Sequence, residues 1–316
     1  MQQIISKSQS AFIQGRSIHD NFMYMRNMAR RFHRNKTPML LVKLDISKAF
    51  DSVRWDYILS LLQHMGFPTR WRNWLVALFS TTSSQILLNG ILGPSIPHGR
   101  GLRQGDPLSP LLFILAIDPL QRLLSLATKA GILTKIARGR ARLRVSMYAD
   151  DAVIFLRPEK HEVRALSHLL NLFEQMTGLQ TNVQKSSIAP ICYDGLDLDD
   201  ILADLPTTRV TFPIKYLGLP LFIRRLRKVD FQPLVDKAAA RLSSWRGRNI
   251  TQAGRATLTK SVLSSQLVYL ISSLSTPSEV LDAVDSYRKK FLWAGDEKLM
   301  GGSARLTGQQ LLGQRI

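Results

Sequence analysis

RVSMYADDAVIF, residues 144–155, sets two aspartates side by side inside an otherwise apolar run. Extended by its flanks, LRVSMYADDAVIFLR reads as two strands meeting at a tight hairpin, with Asp150 and Asp151 at the turn. Burying charge beside apolar side chains is costly unless something compensates it. A third aspartate, Asp45, ends TPMLLVKLDI (37–46), a short and mostly apolar run that reads as a buried strand. A strand end and a hairpin are both places where side chains leave a sheet edge and enter a cleft. Three carboxylates gathered there repel one another unless divalent cations neutralise them. Hard cations such as Mg²⁺ take oxygen ligands, often one or two carboxylates plus substrate phosphates. Two such ions, about 3.5–4 Å apart, clamp the attacking and leaving oxygens of a phosphoryl transfer. Taken alone, the pair also has a plainer reading as turn residues of a hairpin.

Composition narrows the partners. The 316 residues carry 43 Lys and Arg against 23 Asp and Glu, a formal net charge of +20 that points to a polyanion, most directly nucleic acid. An anionic membrane surface would instead predict a basic amphipathic helix at a terminus, and MQQIISKSQS offers neither that nor a signal-peptide core. PLLFILAIDPL (110–120) is too short to span a bilayer and carries Asp118, so no membrane partner is expected. The single Cys192 rules out an internal disulfide and a Cys-rich zinc site, suits a reducing compartment, and predicts no disulfide-linked partner. None of the six histidines has zinc-ligand spacing or reads as catalytic.

No internal repeat at solenoid spacing is present. Residues 19–36 alternate Phe22, Met25, Ala29 and Phe32 with Arg26, Arg30, Arg31 and Arg34, a helix with one buried and one basic face. Ser47 is placed to cap a helix running through KAFDSVRWDYILSLLQHMG to Gly66. SSQILLNGILG predicts a hairpin turning at Asn89-Gly90. GRGLRQGDPLSPLLFILAIDPLQRLLSLATKAG reads as a loop and a long helix, with Asp106 at its N-cap and Pro107 at its first position. EVRALSHLLNLFEQMTGL is helical in period and stops at Gly178. Residues 190–208 hold five aspartates and no Lys or Arg, and read as a solvated connection. Residues 215–260 then hold 11 Lys and Arg against two Asp, laid over helical patterns. The sum is an α+β core followed by a basic helical module.

KLDISKAFDSVRW (43–55), GLRQGDPLSP (101–110) and MYADD (147–151) occur in that order, followed by MTGLQTNVQKSSI (176–188) and IKYLGLPL (214–221). In these five ordered motifs the chain resembles the reverse transcriptase domain of non-LTR (LINE-type) retrotransposons, from SAFIQGRSIHDN to FLWAG. The resemblance implies an α+β right-hand polymerase fold with RNA template, DNA primer and dNTPs as partners and substrates. Its divisions would be partial fingers at 1–37, a palm at 38–52 and 96–220 with a fingers/palm insertion at 53–95, and a helical thumb at 221–295. The Gly/Gln-rich remainder, 296–316, is expected to be a disordered tail.

Carried over residue by residue, Asp45 and Asp150 become the metal-binding catalytic carboxylates, for two Mg²⁺ ions with Mn²⁺ as a substitute. Asp151 completes the YADD box and supports metal or primer-end geometry, and the backbone carbonyl of Ile46 reaches a metal. Phe50 matches a bulky aromatic against the sugar of the incoming nucleotide, where a ring clashes with a 2′-hydroxyl and so selects dNTPs. Ordinary helix packing is its plainer role. Asp51 reads as structural, capping or pairing with Arg54 or Lys48. In GRGLRQGDPLSP the glycines, Gly105 among them, permit close backbone approach, Arg103 can meet phosphate, and Gln104 would lie under the nascent base pair. Lys185 matches a lysine near the triphosphate that protonates the leaving pyrophosphate, worth about 10²–10⁴-fold in general acid catalysis. A solvated surface lysine is the alternative. Tyr216, Leu217 and Gly218 match the primer grip. The helices beyond resemble a thumb whose Arg241, Arg246, Arg248, Arg255 and Lys260 track a duplex backbone. Trp245 and Trp293 are expected as core anchors.

Against complete family members the match begins late. Further fingers sequence, an upstream endonuclease and a downstream domain would lie outside it, making the chain a fragment, a truncated copy or an excised domain of a protein of the nucleus or cytoplasm. Two other functions stay open: a binding remnant that holds template-primer without extending it, and an RNA-directed RNA polymerase, against which Phe50 argues. A metal-dependent nuclease would leave the loop before Asp106 and KYLG without a role.

Overall fold

The computed structural model describes residues 1–136, 143–233, 235–236, 240, 249–274 and 276–294. The chain divides into two compact units, Met1–Ile223 and Arg224–Ile316.

The amphipathic run of the first unit forms α1 (Ile18–Arg34), whose Ser17 cap accepts from the His19 N–H and whose apolar stripe is buried. The run around Pro38 yields β1 (Met39–Leu44), buried everywhere except at Lys43. The single helix expected after Ser47 is two. The first, α2 (Ala49–Ser52), follows Lys48 in the left-handed conformation with no side-chain cap, and α3 (Trp55–His64) starts after an extended Val53-Arg54. The break has a tertiary cause. Arg54 N–H donates to the Thr177 carbonyl at 3.0 Å and the Val53 carbonyl accepts from Gly101 at 2.8 Å, so no helical ladder can run through them.

After α4 (Thr69–Ser80), β2 (Ser83–Ser84), β3 (Leu87–Leu88), β4 (Ile91–Leu92) and β5 (Ile96–Pro97) form a hairpin that turns at Asn89-Gly90, both at positive φ. Next, α5 (Ser109–Lys129) begins beyond Asp106-Pro107, and Pro110 takes the first-turn proline position. The Asp106 carboxylate instead accepts from the Leu108 N–H at 2.8 Å, closing a local turn ahead of the helix. At 21 residues α5 outruns PLLFILAIDPL and is long and apolar enough to cross a membrane by length and composition, with 61% of its apolar window buried within the chain. Its Asp118 is buried, yet satisfied by Arg122 at 2.9 Å and the Ser6 N–H at 2.8 Å.

There follow β6 (Val145–Tyr148), β7 (Asp151–Leu156), and α6 (Lys160–Thr177), which Gly178 closes at φ 79°. The unit ends with β8 (Ser187–Ile191), α7 (Leu198–Ile201), β9 (Thr208–Arg209), β10 (Ile214–Tyr216) and β11 (Leu219–Leu221). The acidic connection is more than a solvated link. Asp200 and Asp204 pair with Lys160 and Arg164 of α6, Asp199 pairs with Arg209, and Asp197 caps α7. These pairs are largely exposed, so each is worth at most about 1 kcal/mol.

The sheet order is β6-β7-β1-β8-β9, antiparallel except for the β8–β9 pair. One face, with Leu40, Val42, Leu44, Met147, Ile154 and Ile188, packs on Phe113 and Leu120 of α5 and Leu166 and Phe173 of α6. On the other face Phe155 meets Phe32 of α1 edge-on, ring centroids 5.1 Å apart. Each large apolar side chain so buried contributes about 1.5–3 kcal/mol.

In the second unit the described residues form a 3₁₀ turn, Lys228–Phe231, and helices Gln252–Leu258, Ser265–Ser273 and Ser278–Ala294. The last helix buries Val280, Val284 and Phe291. Trp293 is 68% exposed and anchors no core. It follows Phe291 by two residues, about 200° around the helix from the buried stripe. Arg241, Trp245, Arg246, Arg248 and residues 296–316 lie outside the described residues.

Candidate active site

Leu44 at the end of β1 stands opposite Ala152 of β7. One more step of the same antiparallel register sets Asp45 opposite Asp151, and alternation puts both on the sheet face that carries Lys43. Tyr148 pairs with Asp151 across the two-residue turn Ala149-Asp150. The fold therefore brings the three aspartates to one end of one sheet. Asp150 is exposed, while Asp45 and Asp151 are half-buried. Burial pushes the Asp151 carboxyl above the ordinary carboxylate range; the Lys43 ammonium opposes the rise, and the charges of Asp150 and Asp45 add to it. Oxygen donors that repel one another in this way fit a hard divalent cation. A different trio, Glu159, His161 and Glu162, brings its ligand atoms within 4.8 Å of one another. There Glu162 is already engaged by Arg144 and by the N–H groups of Thr134 and Arg157.

The backbone around Asp45 is held on both sides. Its N–H donates to Ser186 Oγ at 3.1 Å, and its carbonyl accepts from the Asn182 N–H at 2.8 Å. Ile46 is buried and forms an isolated antiparallel bridge with Thr181. Lys185 is exposed on that same segment, its N–H bonded to Asn182 Oδ1 at 3.1 Å. The loop that carries Lys185 is thus hung from the Asp45 backbone.

Phe50 is half-buried on α2, its ring stacked on Phe113 at 4.5 Å, and its carbonyl accepts from Leu102 at 2.7 Å. Trp55 Nε1 donates to the Gly101 carbonyl at 2.6 Å, which fixes the glycine-rich loop against α2 and α3. Arg103, Gln104 and Gly105 are exposed, and Gln104 reaches Asp51 Oδ1 at 3.4 Å. Asp51 therefore faces the loop rather than Arg54, which pairs with Asp56 beyond the helix break. The loop, Asp51, Thr82 and His98 line a cleft of about 750 Å³.

Leu217 and Gly218, at φ 48° and 80°, form the two-residue turn between β10 and β11. Tyr216 is fully buried and meets Ser146 Oγ of β6 at 3.0 Å, while Lys43 Nζ donates to the Lys215 carbonyl at 3.3 Å. This hairpin is tied to two strands that frame the aspartates. In the second unit Arg255 is half-buried with Nε on the Leu292 carbonyl at 3.1 Å, and Lys260 is exposed.

Sequence reasoning missed the residues that hold the site together: Gln9, Asn21, Lys43, Asn182 and Ser186. Only Lys43 carried a visible signal, as the one charge inside an apolar strand.

A family model for reverse transcriptase (RNA-dependent DNA polymerase) matches residues 1–221. The chain is 26% identical to an uncharacterized 149 kDa protein of transposon TX1 from Xenopus laevis, over 96% of this chain and 23% of that one. It is also 26% identical to a Pol polyprotein of the retrotransposable element R2DM from Drosophila melanogaster, over 67% of this chain and 20% of that one. The chain thus spans about a quarter or less of these relatives. Among solved structures it is similar to a telomerase from Candida albicans in complex with a telomeric RNA fragment, at 11% identity, a TM-score of 0.48, and coverage of 91% of this chain and 50% of that one. With most of its length, all three aspartates and the hairpin at Leu217-Gly218 inside the matched span, the chain belongs to the reverse transcriptase family.

Proposed function

We propose that this chain extends a DNA primer on an RNA template, with Asp45 and Asp150 as the metal-binding carboxylates and Asp151 as their support. The observation that carries this reading is the register ending at Leu44–Ala152, which brings Asp45 to the sheet end that holds Asp151 and the Ala149-Asp150 turn, within reach of the Asp151 charge. Two Mg²⁺ ions, or Mn²⁺ in their place, would be held by Asp45, Asp150 and the Ile46 carbonyl, and would supply Lewis-acid stabilisation of the charge developing on the phosphate oxygens. The remaining roles fall to the chain itself. Phe50, buttressed by Phe113, stands beside the glycine-rich loop as the steric filter against a 2′-hydroxyl. Arg103 and Gln104 face the incoming nucleotide, and the Tyr216-Leu217-Gly218 turn supports the primer end. The primer 3′-hydroxyl gives its proton to water as its oxygen bonds to the α-phosphorus and the bond to the bridging α,β-oxygen breaks, and Lys185 gives a proton to the departing pyrophosphate. The basic second unit, with Arg241, Arg246, Arg248 and Lys260, tracks the duplex backbone. Partial fingers at 1–37, the palm divisions and a thumb from 221 belong to the same reading, as does a location in nucleus or cytoplasm.

The test is extension of oligo(dT) on poly(rA) with dTTP and Mg²⁺, beside an Asp150→Ala/Asp151→Ala double variant. Extension by the native chain that vanishes in the variant is expected. Salt-sensitive binding of the same duplex without any extension would leave a binding remnant and refute the polymerase reading.

A further inference from the structure

The turn that carries Asp150 has an unfavourable backbone. Ala149 sits at φ 52°, in the left-handed region that a residue with a Cβ enters at a cost of roughly 1–2 kcal/mol. Hairpin turns that need a positive φ at this first central position normally place glycine there. What surrounds Ala149 compensates. The side chain of Gln9 is completely buried, its Oε1 accepts from the Ala149 N–H at 3.1 Å, and its Nε2 donates to the Ala149 carbonyl at 3.3 Å. The same Oε1 also accepts from the Ala11 N–H at 2.9 Å, which fixes the amide in place. Two residues earlier, in β6, the Met147 carbonyl accepts from Asn21 Nδ2 at 2.6 Å and from the Ser10 N–H at 3.1 Å, and the Met147 N–H donates to the Ser8 carbonyl at 2.8 Å. A segment some 140 residues away in sequence therefore grips both backbone groups of the one strained residue before Asp150.

We propose that Gln9 is a positioning residue for the carboxylate site, holding Ala149 in the left-handed conformation so that Asp150 presents its carboxylate beside Asp45 and Asp151 with little left to reorganise when a cation arrives. The proposal rests on the metal reading of these aspartates, and its test separates the two. Amide hydrogen exchange of Ala149 on the full chain, without metal, reads the clamp directly; Mn²⁺ binding followed by electron paramagnetic resonance reads its consequence. In Gln9→Met, which keeps the volume and loses both bonds to Ala149 and the one to Ala11, Ala149 exchange should accelerate at least about tenfold while Ile154 exchange stays unchanged. Mn²⁺ affinity should fall about tenfold, the equivalent of losing about 1.4 kcal/mol of preorganisation. Adding Ala149→Gly should restore most of that affinity, because glycine takes the left-handed conformation unaided; a residue that merely supports the fold would not be rescued in this way. Gln9→Asn, whose amide ends one methylene short, should behave like Gln9→Met if the latter folds poorly. Native-like Ala149 exchange in both variants, or loss of the native melting transition in both, would overturn the assignment. A native chain that binds no Mn²⁺ would refute the metal reading, while the exchange experiment would still decide the clamp.

Discussion

Asp151 is the residue at which burial and the neighbouring carboxylates act together, against the Lys43 ammonium. Desolvation raises its pKa first, Lys43 pulls it back, and Asp150 and Asp45 raise it further. A carboxyl whose folded-state pKa lies above its unfolded value stabilises the fold below the unfolded value and loses that contribution as pH rises through the folded one. Metal-free chain should therefore be strained here at neutral pH. Asp151→Asn should raise the melting temperature by a few degrees at pH 7 in the presence of a chelator, and the gain should close as pH falls below the ordinary aspartate range. A gain that persists unchanged at low pH would mean that the charge is not the cause. The aspartates themselves were legible, because two adjacent charges in an apolar run need a reason to be there. Their supports were not. Gln9 reads as one polar residue in a polar N-terminal stretch, and nothing along the chain ties it to a turn 140 residues on.

Elements followed the same division between local and distant causes. The helix stop at Gly178, the Asn89-Gly90 turn and the hairpin around the aspartates are written in neighbouring residues, and the structure follows them. The break between α2 and α3 is set by bonds to Thr177 and Gly101, so helical periodicity through KAFDSVRWDYILSLLQHMG could not show it. The glycine-rich loop makes this dependence testable. Gly101 adopts φ 90°, and a Cβ there would lie 2.8 Å from the Asp51 carbonyl oxygen. Gly101→Ala combines left-handed strain with a backbone clash, and should cost about 2–4 kcal/mol or push the loop off α2. Displacement of Leu102 and Gln104 would weaken dTTP use more than duplex binding. Primer extension at graded dTTP should then show a raised KM with duplex affinity near native, and the reverse pattern would remove the loop from the nucleotide site.

For the molecule as a whole, the net charge of +20 predicts a polyanionic partner, but charge alone cannot say which cations are placed to meet phosphate. The structure separates two that looked equivalent in sequence. Arg255 is half-buried and bound through Nε to the Leu292 carbonyl, so it braces the last helix of its own unit. Lys260 is exposed, five residues on. Neutralising a phosphate releases a condensed counterion, which lowers the slope of log affinity against log salt by about 0.9 per contact on duplex DNA. If Lys260 meets the duplex backbone, Lys260→Ala should weaken binding to every duplex sequence alike and make that slope shallower by about one. Arg255→Ala should chiefly lower the melting temperature of its unit, because it removes a strut as well as a charge. Fluorescence anisotropy of a labelled primer-template between 50 and 200 mM salt, paired with melts of both variants, separates these outcomes within the range where such slopes are measured. An unchanged slope for Lys260→Ala would take this face of the second unit away from the nucleic acid.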